Sequence, residues 1–177
     1  MILADAEILN EMEKGTIVIE PFDRKCLGTN SYDVHLGPFL GQYTRFPLDS
    51  KKHNPIDVQP IPDEGIVLEP GGFYLGVTEE YTESLAHIPF LEGKSSTGRL
   101  GIDIHATAGK GDIGFRNHWT LEISVKVPVR VYAGMPIGQL IYFVPQGNVI
   151  TPYDKKPSAK YNAKSDRPLE SMMWKNF

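Results

Sequence analysis

The chain has 177 residues, 41% of them apolar and 23% charged, with a net charge of −4. This suits one domain with enough apolar material for a core, and no run approaches the ~20 apolar residues of a membrane helix. The slight negative charge argues against a general nucleic-acid coat, and the lone Cys26 excludes a disulfide scaffold and suits a reducing cytoplasm. Met1 to Asp5 carries no basic stretch or long apolar run, so no secretory signal is expected. Residues 4–14 read as a short helix, with Asp5 as N-cap, Ile8, Leu9 and Met12 on one side, and Gly15 at its end. Strand signals follow at 16–20, 32–36, 65–68, 73–77 and 101–105. The 17 glycines and 14 prolines punctuate them closely, which favours a sandwich or barrel over βαβ units. From Trp119 to Val131 every second residue is apolar, as in a strand pair or one bent strand, with Thr120, Glu122, Ser124 and Lys126 on the other face. Residues 137–143 make a further strand. From Thr151 to Pro168 the chain turns polar and Lys-rich, and Met172-Met173-Trp174 is placed to anchor its end. The expected organisation is a β domain over 1–150 and a tail over 151–177.

No single residue type identifies a site. Asp33/His35 and Asp103/His105 each share a strand face, but each pair holds one histidine, so satisfied strand residues are favoured over metal ligands. Gly93-Lys94-Ser95 resembles the end of a phosphate-binding loop. The upstream glycine of that motif would fall at position 88, which is Ile88, and no helix pattern follows. What remains, from Gly93 to Arg99, holds two cations and three hydroxyls, which suits either a phosphate cradle or a plain surface turn. Periodicity alone makes Glu122 a solvated carboxylate and Asp112 a turn residue.

Order and spacing are more specific. Glu92-Gly-Lys-Ser-Ser-Thr-Gly-Arg-Leu-Gly101, His105-Ala-Thr-Ala-Gly109, Asp112-Ile-Gly-Phe115, His118-Trp-Thr-Leu-Glu122, Gly134-Met-Pro-Ile-Gly-Gln-Leu140 and Ala159-Lys-Tyr161 together resemble the dCTP deaminases of the trimeric dUTPase-like superfamily. A weaker echo lies at Ser31-Tyr-Asp-Val-His-Leu-Gly37. The resemblance implies a mainly β, distorted jelly-roll domain of the dUTPase-like, β-clip type with a short N-terminal helix. It also implies a homotrimer with sites shared between subunits. Carried onto matching positions, Glu122 is the general base and proton shuttle, and Ser95 and Arg99 hold the attacking water and the polar groups around it. Lys94 and Ser96 belong to the same nucleotide-binding loop. The backbone of Thr107 and Ala108 lies by the cytosine ring, and Asp112 by the deoxyribose. Tyr153, Lys160 and Lys164 fall in a tail that closes over the triphosphate, which carries Mg2+. Competing dTTP acts as a feedback inhibitor in this picture, and neither nucleic acid nor membrane is a partner. Three positions depart from the common pattern: Lys94 for a frequent Arg, Lys164 for a tail Gln, and Gly111-Asp112-Ile113 for an apolar-Asp-Pro turn.

The residue types suit hydrolysis of the cytosine C4–N bond without zinc. The zinc deaminases use H-x-E with P-C-x-x-C, and one cysteine cannot supply it. Attack of water at C4 needs a base, and one carboxylate shielded from water can take that proton, protonate N3 and then the leaving amine. The expected product is dUTP, by a narrow margin over a bifunctional course to dUMP and pyrophosphate. Gly109 favours the second course, and the unusual residues around Asp112 favour the first, since a second water must be held in line with the α-phosphate. A plain dUTPase would leave Glu122, Ser95 and Arg99 without a role. A nucleotide-binding trimer without turnover is the rival from outside enzymology.

Overall fold

The computed structural model describes residues 1–107 and 109–177, so the expectation for Ala108 lies outside the described residues. A first helix α1 (Asp5–Glu13) leads into β1 (Ile17–Glu20), β2 (Tyr32–His35), β3 (Phe39–Tyr43), β4 (Ile56–Pro60), β5 (Ile66–Leu68), β6 (Tyr74–Val77), β7 (Tyr81–Ser84) and β8 (Ile88–Gly93). A one-turn helix α2 (Ser95–Arg99) precedes β9 (Ile102–Asp103), β10 (Phe115–Asn117), β11 (Thr120–Val125), β12 (Val129–Val131) and β13 (Pro136–Phe143). The strands pair antiparallel in four sheets, ordered β4-β3-β6-β11-β9, β2-β13-β8, β1-β7-β10 and β12-β5. This is a mainly β, distorted jelly-roll arrangement with a short N-terminal helix. No helix among the described residues is long and apolar enough to cross a membrane.

The alternating run from Trp119 splits in two. β11 buries Leu121, Ile123 and Val125 and presents Thr120, Glu122 and Ser124 half-buried on its other face. The ladder stops at Pro128, which has no N–H to donate, and Val127 is left exposed. β12 resumes the alternation in a different sheet, opposite β5. The core gathers the inward residues of all the sheets, with Leu40, Leu68, Leu91, Leu121, Ile137 and Leu140 fully buried.

Two local expectations are corrected. Ala4, in extended conformation, is the N-cap of α1, and the Asp5 carboxylate instead accepts from the neighbouring Ala6 N–H. The segment after Lys94 is helical: Thr97 is buried, and its hydroxyl donates to the Lys94 carbonyl at 2.7 Å, closing the turn that propensity alone does not announce.

The tail has little regular structure, yet it is laid along the domain by its main chain. The Tyr153 N–H donates to the Ile113 carbonyl at 2.7 Å, Leu169 N–H to Thr120 Oγ1 at 3.1 Å, and Ser171 N–H to the Tyr43 hydroxyl at 3.0 Å. Its end is held by the loop between β3 and β4: His53 meets Glu170 at 2.8 Å and stands edge-on to Trp174.

Candidate active site

Glu122 sits on β11, between β6 and β9, paired opposite Leu75 of β6, with its own N–H donated to the Ile104 carbonyl at 2.9 Å. Its Oε2 accepts from the Ala106 N–H at 2.8 Å, which aims the carboxylate at the segment that follows β9. In front of this face opens a cleft of about 670 Å3. The 110–112 turn and His118 to Thr120 form one side, Tyr43, Phe73 and Leu75 another, and Tyr153, Tyr161 and Leu169 to Ser171 of the tail the third. Apolar and aromatic walls with a few fixed polar groups are the usual make-up of a small-molecule site.

Asp112 is a second carboxylate on this cleft, and Glu170, paired with His53, is a third. Partial burial pushes its pKa up, but Lys110, hydrogen-bonded at 3.1 Å, and Lys156, at 3.7 Å, outweigh that and hold it below the ordinary aspartate value. The backbone around it is fixed. The Phe115 N–H donates to the Asp112 carbonyl at 3.1 Å, closing a four-residue turn with Gly114 third, at φ +91°. A positive φ at that place is what a type II turn requires and what glycine supplies. A Cβ on Gly114 would also lie 2.8 Å from the backbone nitrogen of Tyr153, where the tail crosses. Gly111 is needed for space, since a Cβ there would come within 2.4 Å of the Trp119 ring. Ile113 therefore stands in for proline in a turn that keeps its closing hydrogen bond.

The structure brings Glu122, Asp112 and Tyr153 together on one cleft. Thr107 is exposed, one residue beyond the amide that holds Glu122. Ser95, Ser96 and Arg99 are exposed on α2 and lie outside this cleft among the described residues. Lys94 is half-buried and ion-paired with Asp33. Lys160 is half-buried without lining the cleft, and Lys164 sits over the Tyr81 ring, 4.0 Å from its centroid. Sequence reasoning missed Tyr43, Phe73 and Asn117. Tyr43 and Phe73 reach the cleft from β3 and the edge of β6, which only the sheet order brings to Glu122. Asn117 carries no motif.

Asp33 and His35 do not share a ligand: Asp33 pairs with Lys94, and His35 Nδ1 meets the buried Glu80 at 2.6 Å. Asp103 pairs with Lys126, and His105 bonds the Leu91 carbonyl. Among the described residues, no group of three or more His, Cys, Asp or Glu side chains stands together as a metal cage.

A model of the dCTP deaminase-like family matches residues 2–144 of the chain. The chain is similar to a protein of Leptospira biflexa named "dCTP deaminase, dUMP-forming", at 47% identity over 177 residues, covering 100% of this chain and 98% of that protein. A protein of Clostridium beijerinckii with the same name is 47% identical over 178 positions, covering 100% and 99%. Among solved structures, the 2'-deoxycytidine 5'-triphosphate deaminase from Agrobacterium tumefaciens superposes with a TM-score of 0.65 at 23% identity, over 81% of this chain. This chain spans about half of that one, 48%, and at such identity the likeness bears on the fold alone.

Proposed function

This chain belongs to the dCTP deaminase-like family, and from that premise we propose that it deaminates dCTP and carries the product on to dUMP. The overall change is dCTP and two waters to dUMP, ammonia and pyrophosphate. The observation that carries this reading is the pair of fixed carboxylates, Glu122 and Asp112, on one cleft. The narrow preference for dUTP drawn from the residues around Asp112 is given up on two grounds. The turn keeps its hydrogen bond and its third-position glycine despite Ile113, and the relatives are named dUMP-forming.

In the first step Glu122 takes a proton from the water that attacks C4. It delivers protons to N3 and then to the amine, which leaves as ammonia. The Ala106 N–H holds the carboxylate in one orientation while the proton moves on and off. In the second step Asp112, kept ionised by Lys110 and Lys156, orients the water that attacks the α-phosphorus, and pyrophosphate leaves. The nucleotide enters as its Mg2+ complex. A zinc centre is not built into this reading, because the donor set offers one cysteine and dispersed histidines.

The chain is further proposed to work as a homotrimer in which α2 of a neighbour brings Ser95, Ser96 and Arg99 to the cleft. Their exposure outside their own protomer's cleft supports this. Thymidine triphosphate shares the deoxyribose and triphosphate and is expected to compete there, and the cytoplasm is the fitting compartment for such an enzyme with a free cysteine.

Incubation with dCTP and Mg2+, with products separated at early times, tests the reading. Dump of dUMP and pyrophosphate at the rate of ammonia release, without free dUTP, is expected. Accumulating dUTP would restrict the enzyme to deamination, and bound dCTP without ammonia would leave a nucleotide-binding protein.

A further inference from the structure

Asn117, the last residue of β10, is 1% exposed, and its side-chain amide makes four hydrogen bonds. Its Nδ2 donates to the carbonyls of Tyr161, at 3.2 Å, and Ala163, at 2.9 Å. Its Oδ1 accepts from the Ser165 N–H at 2.9 Å and from the His118 N–H at 3.0 Å. Three of the four therefore go to the tail's main chain, at every second residue. A carboxamide is suited to this because it carries donors and an acceptor on one planar group. Aspartate would set an oxygen against two carbonyls, and alanine would take the side-chain partner from three main-chain groups of the tail.

We propose that Asn117 is a positioning residue that sets the register of the tail over the active-site cleft. Tyr161 lines that cleft and accepts the Met172 N–H on its hydroxyl at 3.0 Å, so the register at Asn117 is passed on to the chain end. A slip of one residue would replace the Tyr161 carbonyl by its neighbour's and turn the ring away from the cleft. The role rests on the proposed reading of this cleft as the nucleotide site. Asn117 acts on it through the tail and not on the reacting atoms.

The test uses the full chain and the variants N117A, N117D, S165P and S165A. S165P deletes the tail's own N–H donor without touching a core side chain, and S165A controls for loss of the Ser165 hydroxyl. Amide hydrogen exchange is measured first, without nucleotide. In N117A, N117D and S165P the amides of Leu169, Ser171 and Met172 should exchange roughly fivefold to a hundredfold faster, as loss of three, two and one tail hydrogen bonds implies. The Glu122 amide within β11 should keep its rate, and S165A should match the parent. Steady-state kinetics with dCTP follow. A register fault raises KM by about tenfold or more, whereas mere loss of folded protein lowers kcat at constant KM. Unchanged protection of the tail amides, or lost protection with kcat/KM intact, would overturn the proposal. If the parent chain releases no ammonia from dCTP, the nucleotide reading fails, while the exchange data still decide whether Asn117 holds the tail.

Discussion

The Ala106 N–H donates to Oε2 of Glu122 across 2.8 Å, tying the carboxylate of β11 to the loop after β9. A carboxamide can accept the same bond through its oxygen, so Glu122→Gln should fold and bind nucleotide normally. It cannot shuttle protons. Ammonia release from dCTP should fall by about 10²–10⁴-fold, measured at saturating substrate. A variant retaining a tenth of the parent kcat would remove Glu122 from the chemistry.

Asp112→Asn separates the two proposed steps. Ammonia should still appear at close to the parent rate, while dUTP accumulates and dUMP formation drops by about 10²-fold or more. Chromatography of the nucleotides against time reads both. Equal loss of ammonia and dUMP would assign Asp112 to nucleotide binding alone.

Shared sites predict complementation between inactive chains. Arg99→Ala and Glu122→Gln should each be inactive as homo-oligomers. Unfolded together and refolded as a mixture, they should recover about a quarter or less of parent activity, because some sites then pair an intact α2 with an intact Glu122. Sedimentation should show three chains per particle. No recovery from a properly mixed trimer would mean that each protomer completes its own site.

Acid stability should change in two stages. Near α1, the Glu11 carboxylate is hydrogen-bonded to Lys14 at 2.6 Å and to Thr16, which holds its pKa below the ordinary glutamate value. Facing it at 3.8 Å, His87 is buried with Nδ1 unpartnered, and burial pushes its pKa down despite Glu11 and Glu7. Both groups bind protons more readily unfolded than folded, so stability falls with pH, first through the ordinary histidine range and then from the ordinary glutamate range downward. His87→Gln should flatten the first stage. Glu11→Gln should flatten the second and lower Tm at neutral pH by roughly 2–4 °C, the equivalent of about 1 kcal/mol in a chain this size. Thermal melts across pH check both.

The jelly-roll core was readable where apolar residues alternate, as in β2 and β11, or run together, as in β6 and β13. It was hidden in β7, whose inward residues include Thr82 and Ser84, 4% and 3% exposed, and in β8, where Pro89 breaks the strand pattern yet lends its carbonyl to the Gly111 N–H. The period of the Trp119–Val131 run marked Glu122 as outward but could not say that a cleft lay in front of it. That depends on β3, β6 and a tail from distant parts of the chain. The Asp112 turn does not depend on the missing proline: Gly114, two residues on, supplies the positive φ, and the Phe115 N–H to Asp112 carbonyl bond closes it. Tail register was not readable at all, since it is written in main-chain atoms.

That last point bears on how such a chain can change over time. The tail's path is fixed by bonds from Ile113, Asn117, Thr120 and Tyr43 to its backbone, at Tyr153, Tyr161, Ala163, Ser165, Leu169 and Ser171. Many of its side chains are thus released from the work of attachment. On the proposed reading of the cleft as a nucleotide site, lysines at 155 and 160 can be exchanged, added or moved to retune affinity for a polyphosphate while the strap keeps its course. Drift in the tail should accordingly alter substrate preference long before it alters the fold. Grafting another relative's tail sequence onto this domain is a practical way to shift nucleotide selectivity.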